Sequence, residues 1–312
     1  MPAQRFVAHS RVMRALVAQA QRFSRSDANV LIAGETGTGK NALAYDLHAR
    51  GPRAARPFVT VDCPGLSASL IDSELFGHEA GAFTDAVRAR IGRFEAANKG
   101  TLYLDAVTEL PIDAQAKLLR IVEEKRIERL GGSVSIPLDA RIIASADADI
   151  EAAVRAGAFR HDLYHRLRVL PLFIPPLREH PEDVIPLARY FLKRAAATAK
   201  KAAPVLSREA ASALRDYAWP GNVRELRHVI ERACESVDGS AITLADLPSE
   251  ILDAPTLQTD TAMAHRPTLE EVEHRYVVST LRHARGNQTD AARILGISRK
   301  ALWEKRKRYG LG

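Results

Sequence analysis

The sequence has little cysteine: two residues in 312, Cys63 and Cys234, far apart and in neither a zinc-ligand spacing nor a disulfide framework. Both are expected as buried thiols. No N-terminal apolar segment resembles a secretory signal, and no apolar run approaches the roughly 18 residues that a membrane-spanning helix needs. Those absences point away from secretion and membrane embedding, toward a cytosolic protein. Internal repeats and low-complexity tracts are also missing. The apolar share of 46% and charged share of 27% are those of a globular chain, long enough for one large domain or two to three modest ones.

What is present is organised around Ala28–Arg50. Val30–Ala33 reads as a buried strand, Gly34-Glu35-Thr36-Gly37-Thr38-Gly39-Lys40 as a glycine-rich loop, and Asn41–Arg50 as a helix with Ala42, Leu43 and Leu47 inward. In such a loop backbone N–H groups turn onto a polyphosphate, the helix N-terminus adds partial positive charge, and Lys40 reaches the outer phosphates. Asn41 stands where many such loops carry a magnesium-binding Ser or Thr.

A helix over about Ser10–Ser24 precedes this unit. Phe58–Asp62, Gly100–Asp105, Ala140–Ser145 and Leu170–Ile174 follow as apolar strands between helical stretches, which predicts an α/β fold with a parallel sheet covered on both faces. Two insertions interrupt it: the loop Phe76–Arg93, and Arg129–Asp139, read as a small hairpin. After Pro175-Pro176 the chain reads as an all-α subdomain to about Asp253, then as a linker to Pro267. The domains are thus expected at 1–174, 175–253 and 268–312. Asp105, ending an apolar strand downstream of a phosphate loop, is the expected holder of a nucleotide's Mg²⁺; a strand-end Asp can equally cap the next helix.

Glu74-Leu75-Phe76-Gly77-His78-Glu79, Gly81-Ala82-Phe83-Thr84, Phe159-Arg160-His161-Asp162-Leu163-Tyr164-His165-Arg166-Leu167 and Trp219-Pro220-Gly221-Asn222-Val223-Arg224-Glu225-Leu226 strongly resemble the AAA+ module of sigma-54-dependent transcription activators. The resemblance implies a ring, hexameric, with ATP between neighbouring subunits. Hydrolysis there drives the loop bearing Phe83 and Thr84 against sigma-54 of RNA polymerase. It further implies Arg160 and Arg166 as arginine fingers acting across the subunit boundary and Arg224 as the sensor arginine on the lid. A guanidinium from a neighbour stabilises phosphoryl-transfer charge only in a closed ring. The plain alternative for Arg160 and Arg166 is an ordinary salt bridge.

Five positions, in four motifs, depart from the family pattern. Asp105 is followed by Ala106 where the family has the Glu that polarises the attacking water, and a methyl group accepts no proton. The family's second-strand Asn is Asp62, its Thr-Asn sensor is Ala146-Asp147, and the second glycine of its Gly-Ala-Phe-Thr-Gly-Ala loop is Asp85. Asp62 and Asp147 end strands beside the predicted site, so either is placed to position water; Glu109 lies one helical turn beyond Ala106. Slow or absent ATP hydrolysis and weakened sigma-54 engagement are the expectation.

The net charge of +7 concentrates in the tail, where ten Lys/Arg face five acids from Thr268 onward. Thr268–Glu271 has a capping-box pattern, and Tyr276, Val277, Thr280 and Leu281 continue an apolar face. Gly286-Asn287 breaks that helix; Thr289–Leu295 forms another, Gly296 turns, and Ser298 caps a last helix to about Arg308. This closely resembles the Fis-type helix-turn-helix, with double-stranded DNA as partner. Ser298, Arg299, Lys300 and Glu304 are expected at base edges, and Lys305, Arg306, Lys307 and Arg308 along phosphates. Trp303 is expected to pack inside the small domain. Two functions follow: a DNA-bound regulator that holds ATP with little hydrolysis, alone or in a mixed ring with a homologue, or a fully active motor that opens promoters. No receiver or ligand-sensing domain is read before Phe6, so control is expected from another protein, from expression level or from nucleotide occupancy.

Overall fold

The computed structural model describes residues 6–65, 70–83, 86–237, 240–252, 273–274, 276–278, 280–281, 284 and 287–309. The linker 254–267, the Thr268–Glu271 capping box, and Thr84 and Asp85 lie outside the described residues. Two compact units divide at Pro255/Thr256, and each is described on its own.

In the larger unit five strands form one parallel sheet: β1 (Val30–Gly34), β2 (Phe58–Asp62), β3 (Thr101–Asp105), β4 (Arg141–Ala146) and β5 (Leu170–Ile174). Their spatial order is β2-β3-β4-β1-β5. The strands alternate between two cores as a pleated sheet buried on both faces requires. Leu31, Leu102, Leu104, Ile142 and Ala144 face one core; Val30, Ile32, Tyr103, Ile143 and Leu172 face the other. The boundaries expected at Gly100 and Ala140 move by one residue, and the loop helix runs Lys40–Ala49. On that helix Leu43, Ala44 and Leu47 are buried, while Ala42 is only half-buried.

The N-terminal helix Arg11–Ser24 starts at Ser10, whose hydroxyl accepts from Met13 N at 3.2 Å. At its other end buried Arg141 donates to the Phe23 and Ser24 carbonyls, so a cation closes the negative pole of the helix. Asp183 ties the start of the same helix to the lid: it accepts from the backbone of His9 and Ser10 and from His180.

The first insertion folds back on itself, with Gly77–His78 antiparallel to Arg90–Ile91. His78 Nε2 meets the Arg88 carbonyl at 2.9 Å and so donates, leaving Nδ1 to accept from the Ser73 hydroxyl at 2.7 Å. The second insertion is a hairpin, but its strands are Arg126–Glu128 and Ser135–Pro137, so Arg129–Val134 is its loop rather than its first strand. The preceding helix ends at Glu124 because Lys125 turns left-handed at φ 55°. Arg129 joins the two insertions by donating to Glu79 and, through two bonds, to Glu95.

The lid is built on helices Val184–Thr198, Arg208–Asp216 and Asn222–Ser236 around fully buried Trp219, whose Nε1 donates to the Leu214 carbonyl at 2.8 Å. It is not purely helical: Val205–Leu206 and Ala241–Ile242 pair as a short parallel ladder. In the C-terminal unit, helix Gln288–Leu295 is capped by Asn287 and ends at left-handed Gly296; helix Arg299–Arg308 is capped by Ser298. Among its described residues Val277, Thr280, Ala291, Ala292 and Leu302 are buried, whereas Tyr276 is 57% exposed, contrary to its expected inward place. Cys63 and Cys234 are free and buried. No helix among the described residues is long and apolar enough to cross a membrane.

Candidate functional site

The parallel register brings the strand ends to one edge of the sheet. Asp62 pairs with Asp105, and Ala33 with Ala146, so β2, β3 and β4 deliver Asp62, Asp105 and Asp147 beside the loop that follows β1. A crevice outside the carboxyl ends of parallel strands is where such folds bind ligands. Here it is a cavity of about 420 Å³ lined by Thr36, Gly37, Gly39, Lys40, Asn41 and Ala42 of the loop and its helix, by Asp62, Asp105, Ala106 and Asp147 of the strand ends, and by Phe191, Val223, Arg224 and Arg227 of the lid.

Lys40 is buried, and its Nζ donates to the Gly34 carbonyl and, at 3.1 Å, to the Glu35 carbonyl. Burial pushes its pKa down, while the Asp147 carboxylate, 3.8 Å away, and Asp105 oppose that shift. A cation held by carbonyls and distant acids at a glycine-rich turn is poised to exchange them for phosphate oxygens. Beside it, Asp105 accepts on Oδ2 from Asn41 Nδ2 (2.9 Å) and on Oδ1 from the hydroxyls of Tyr103 (3.0 Å) and Ser145 (2.6 Å). The Tyr103 hydroxyl also reaches Asn41 Oδ1 at 2.9 Å, and Ser145 accepts from Ala106 N at 2.9 Å. Burial, with the Asp105 charge next, raises the Tyr103 pKa and keeps it a donor. Burial does the same to the Cys63 thiol, pushed up to about 12, so this cysteine is inert. Ala106 itself is left-handed, φ 53° and ψ 57°, and its methyl lines the cavity.

The lid closes on the loop through Glu35. Arg178 donates two bonds to its carboxylate, at 2.6 and 2.8 Å, and Asn222 Nδ2 a third at 3.1 Å. Those partners, Arg178 first, hold the Glu35 carboxyl at about 2. Asn222 also donates to the Thr36 carbonyl and accepts from Leu177 N. The Arg224 backbone N–H donates to the Gly37 carbonyl at 3.1 Å. The approach is close enough that a Cβ on Gly37 would stand 2.3 Å from the Gly221 carbonyl.

The expected loop residues, Asp105 and Arg224 therefore come together. Arg160 and Arg166 do not line this cavity; they pair with Asp162 (2.7 Å) and Glu123 (2.8 Å) on a half-exposed helix face. Phe83 is 40% exposed, its ring edge-on to His78. Local reading gave no role to Arg178, Asn222, Tyr103, Ser145, Phe191 or Arg227. Arg227 alone carried a signal, standing one turn beyond Arg224 on the same lid helix.

On the last helix Ser298 Oγ accepts from Ala301 N at 3.1 Å, capping the helix and leaving its O–H to donate elsewhere. Arg299, Lys300, Trp303, Glu304, Lys307 and Arg308 are exposed. Trp303, expected inside, is 56% exposed with the Lys307 ammonium 5.5 Å over its ring; Leu302, one residue and about 100° of helix away, takes the core place. Lys305 forms an ion pair with Glu273, and Arg306 is half-buried.

Fold and cavity together define an AAA+ nucleotide-binding module with a helical lid, joined to a helix-turn-helix unit. Residues 6–173 match the sigma-54 interaction domain, 178–264 the AAA+ ATPase lid domain and 268–309 the bacterial regulatory protein, Fis family. The transcriptional regulatory protein ZraR of Klebsiella oxytoca is 43% identical over 309 residues, 98% of this chain and 70% of that protein. Regulatory protein AtoC of Escherichia coli K12 is 44% identical over 296 residues, 93% of this chain and 64% of that protein. The crystal structure of NtrX from Brucella abortus in complex with ATP superposes with a TM-score of 0.75 at 33% identity, over 98% of this chain and 70% of that one. The chain belongs to the sigma-54-dependent transcriptional activator family.

Proposed function

We propose that this protein is a cytoplasmic DNA-binding transcription regulator that holds ATP in the cavity between loop and lid and hydrolyses it slowly or not at all. The observation that carries the reading is Ala106: a methyl lines the cavity where a general base is needed, and the nearest strand-end carboxylate, Asp105, already accepts three hydrogen bonds. Loss of a positioned base costs roughly 10²–10⁴ in rate. The phosphates would lie along Gly34–Asn41, against Lys40 and Arg224, with the base toward Phe191 and Val223. Oxygen donors at Asp105, Asp62 and Asp147 suit a hard cation, so Asp105 would hold Mg²⁺, which neutralises phosphate charge when bound.

On this reading Phe83 and Thr84 engage sigma-54 weakly because of the charge at Asp85, and Arg299 and Lys300 read DNA. Arg160 and Arg166 serve a neighbour's site in a homo-oligomeric ring, hexameric, or in a mixed ring. The competing reading, a fully active promoter-opening ATPase, draws on Asp62 and Asp147, two carboxylates lining the same cavity. Binding of a fluorescent ATP analogue and phosphate release, measured separately on the purified chain, distinguish them. Binding abolished by Lys40→Ala, with little release, is expected. Turnover comparable to a family member with an intact glutamate, lost in Lys40→Ala, would overturn the proposal.

A further inference from the structure

The segment that carries Arg160 and Arg166 also carries two histidines that the nucleotide reading does not use. His161 and His165 stand four positions apart on helix His161–Leu167, the spacing that places two imidazoles on one face. Leu163, Tyr164 and Leu167, 0%, 6% and 0% exposed, fix the opposite face in the core. The Tyr164 hydroxyl, donating to Glu151 Oε1 at 2.7 Å, anchors it further. The histidines thus sit exposed on a firmly held backbone. Their Nε2 atoms are 3.1 Å apart, with ring centroids 4.3 Å apart and planes at 66°.

Two neutral imidazoles meet in this way when one Nε2 bears a hydrogen and the other accepts it. The same geometry suits a chelate. A zinc ion bound at about 2.0–2.1 Å by two nitrogens at the tetrahedral angle sets those nitrogens about 3.3 Å apart, close to the separation observed. Flanking charges leave the approach open: Arg160 is paired with Asp162, Arg166 with Glu123, and Arg168 lies over the Tyr164 ring.

We propose that His161 and His165 form a two-histidine site for a transition-metal ion of the zinc, nickel or copper class. The ion takes the place of the hydrogen between the rings, and that hydrogen moves to Nδ1 of its own imidazole, so no net proton is released. No cluster of three or more His, Cys, Asp or Glu suited to a metal occurs among the described residues, so water completes the coordination. Its occupancy would put fixed positive charge on the helix that bears Arg166.

The test titrates Zn²⁺ alone calorimetrically into the metal-stripped full chain and into His161→Ala, His161→Gln and His165→Ala, each checked for folding by circular dichroism. Saturable binding is expected in wild type. Each substitution should weaken it at least tenfold, since loss of a residue that merely supports a ligand already costs about 10–100-fold. Cu²⁺ should show two nitrogen ligands by paramagnetic resonance in wild type and one in each variant. Identical isotherms for wild type and variants, or no saturable binding in wild type, would overturn the site.

Discussion

Glu35 is where the phosphate loop and the lid meet, and replacing it by Gln keeps the shape while removing the charge. The carboxylate takes two bonds from Arg178 and one from Asn222, and its carboxyl sits at about 2 against an ordinary 4.5. At full value that difference is worth ~3 kcal/mol. The two side chains are 33% and 42% exposed, however, so solvent screening reduces it to ~1–2 kcal/mol. Glu35→Gln should therefore lower the thermal midpoint at pH 7 by about 2–8 °C. A double-mutant cycle with Arg178→Met should return a coupling of ~1–2 kcal/mol from urea unfolding. The sign with pH is fixed: a depressed carboxyl stabilises fully above 4.5 and loses that contribution as pH falls toward 2. The gap between wild type and Glu35→Gln should thus be widest at neutral pH and narrow below 4.5; Asp183, whose carboxyl is also held at about 2, is common to both proteins and cancels. A coupling within about 0.3 kcal/mol of zero, or a gap that widens on acidification, would refute the latch.

Other outcomes follow from single contacts. Gly37→Ala should weaken ATP binding at least tenfold, because the new methyl meets the Gly221 carbonyl at 2.3 Å and φ is +83°; unchanged affinity for a fluorescent ATP analogue would show that loop and lid can part at no cost. Ala106→Glu, at a backbone already left-handed, should raise phosphate release by roughly 10²-fold or more if a base is what is missing. No gain there, even with Asp62→Asn added, would count against that account. In the tail, exposed Arg308→Ala should flatten the salt dependence of DNA affinity by about one phosphate contact, whereas Lys305→Ala, whose charge already pairs with Glu273, should leave the slope alone. Equal slopes in filter-binding titrations would contradict the geometry.

Local reading succeeded where one element explains itself. Strand, glycine loop and helix over Val30–Ala49 announce their boundaries through periodicity and glycine, and Ser298 caps as its residue type suggests. It slipped where the signal was a side chain's size or a backbone state with no residue signature. Trp303 reads as core because it is large, yet Leu302 is on the inward phase of the helix. Lys125 turns left-handed with no glycine to announce it, so the hairpin starts three residues before the position its sequence suggests. Val205–Leu206 is too short to show any alternation.

The latch lay beyond local reading for a different reason. Arg178 and Asn222 stand 143 and 187 positions from Glu35, and no pattern within a window can pair them. Yet that pairing is what ties the phosphate loop to the lid. Glu35 lies inside the phosphate loop, while both its partners belong to the lid side, so a ligand that draws Lys40 away from the Gly34 and Glu35 carbonyls acts on the same short stretch of backbone that holds the lid. Through these contacts bound nucleotide, cleaved or not, can be felt by the helical subdomain.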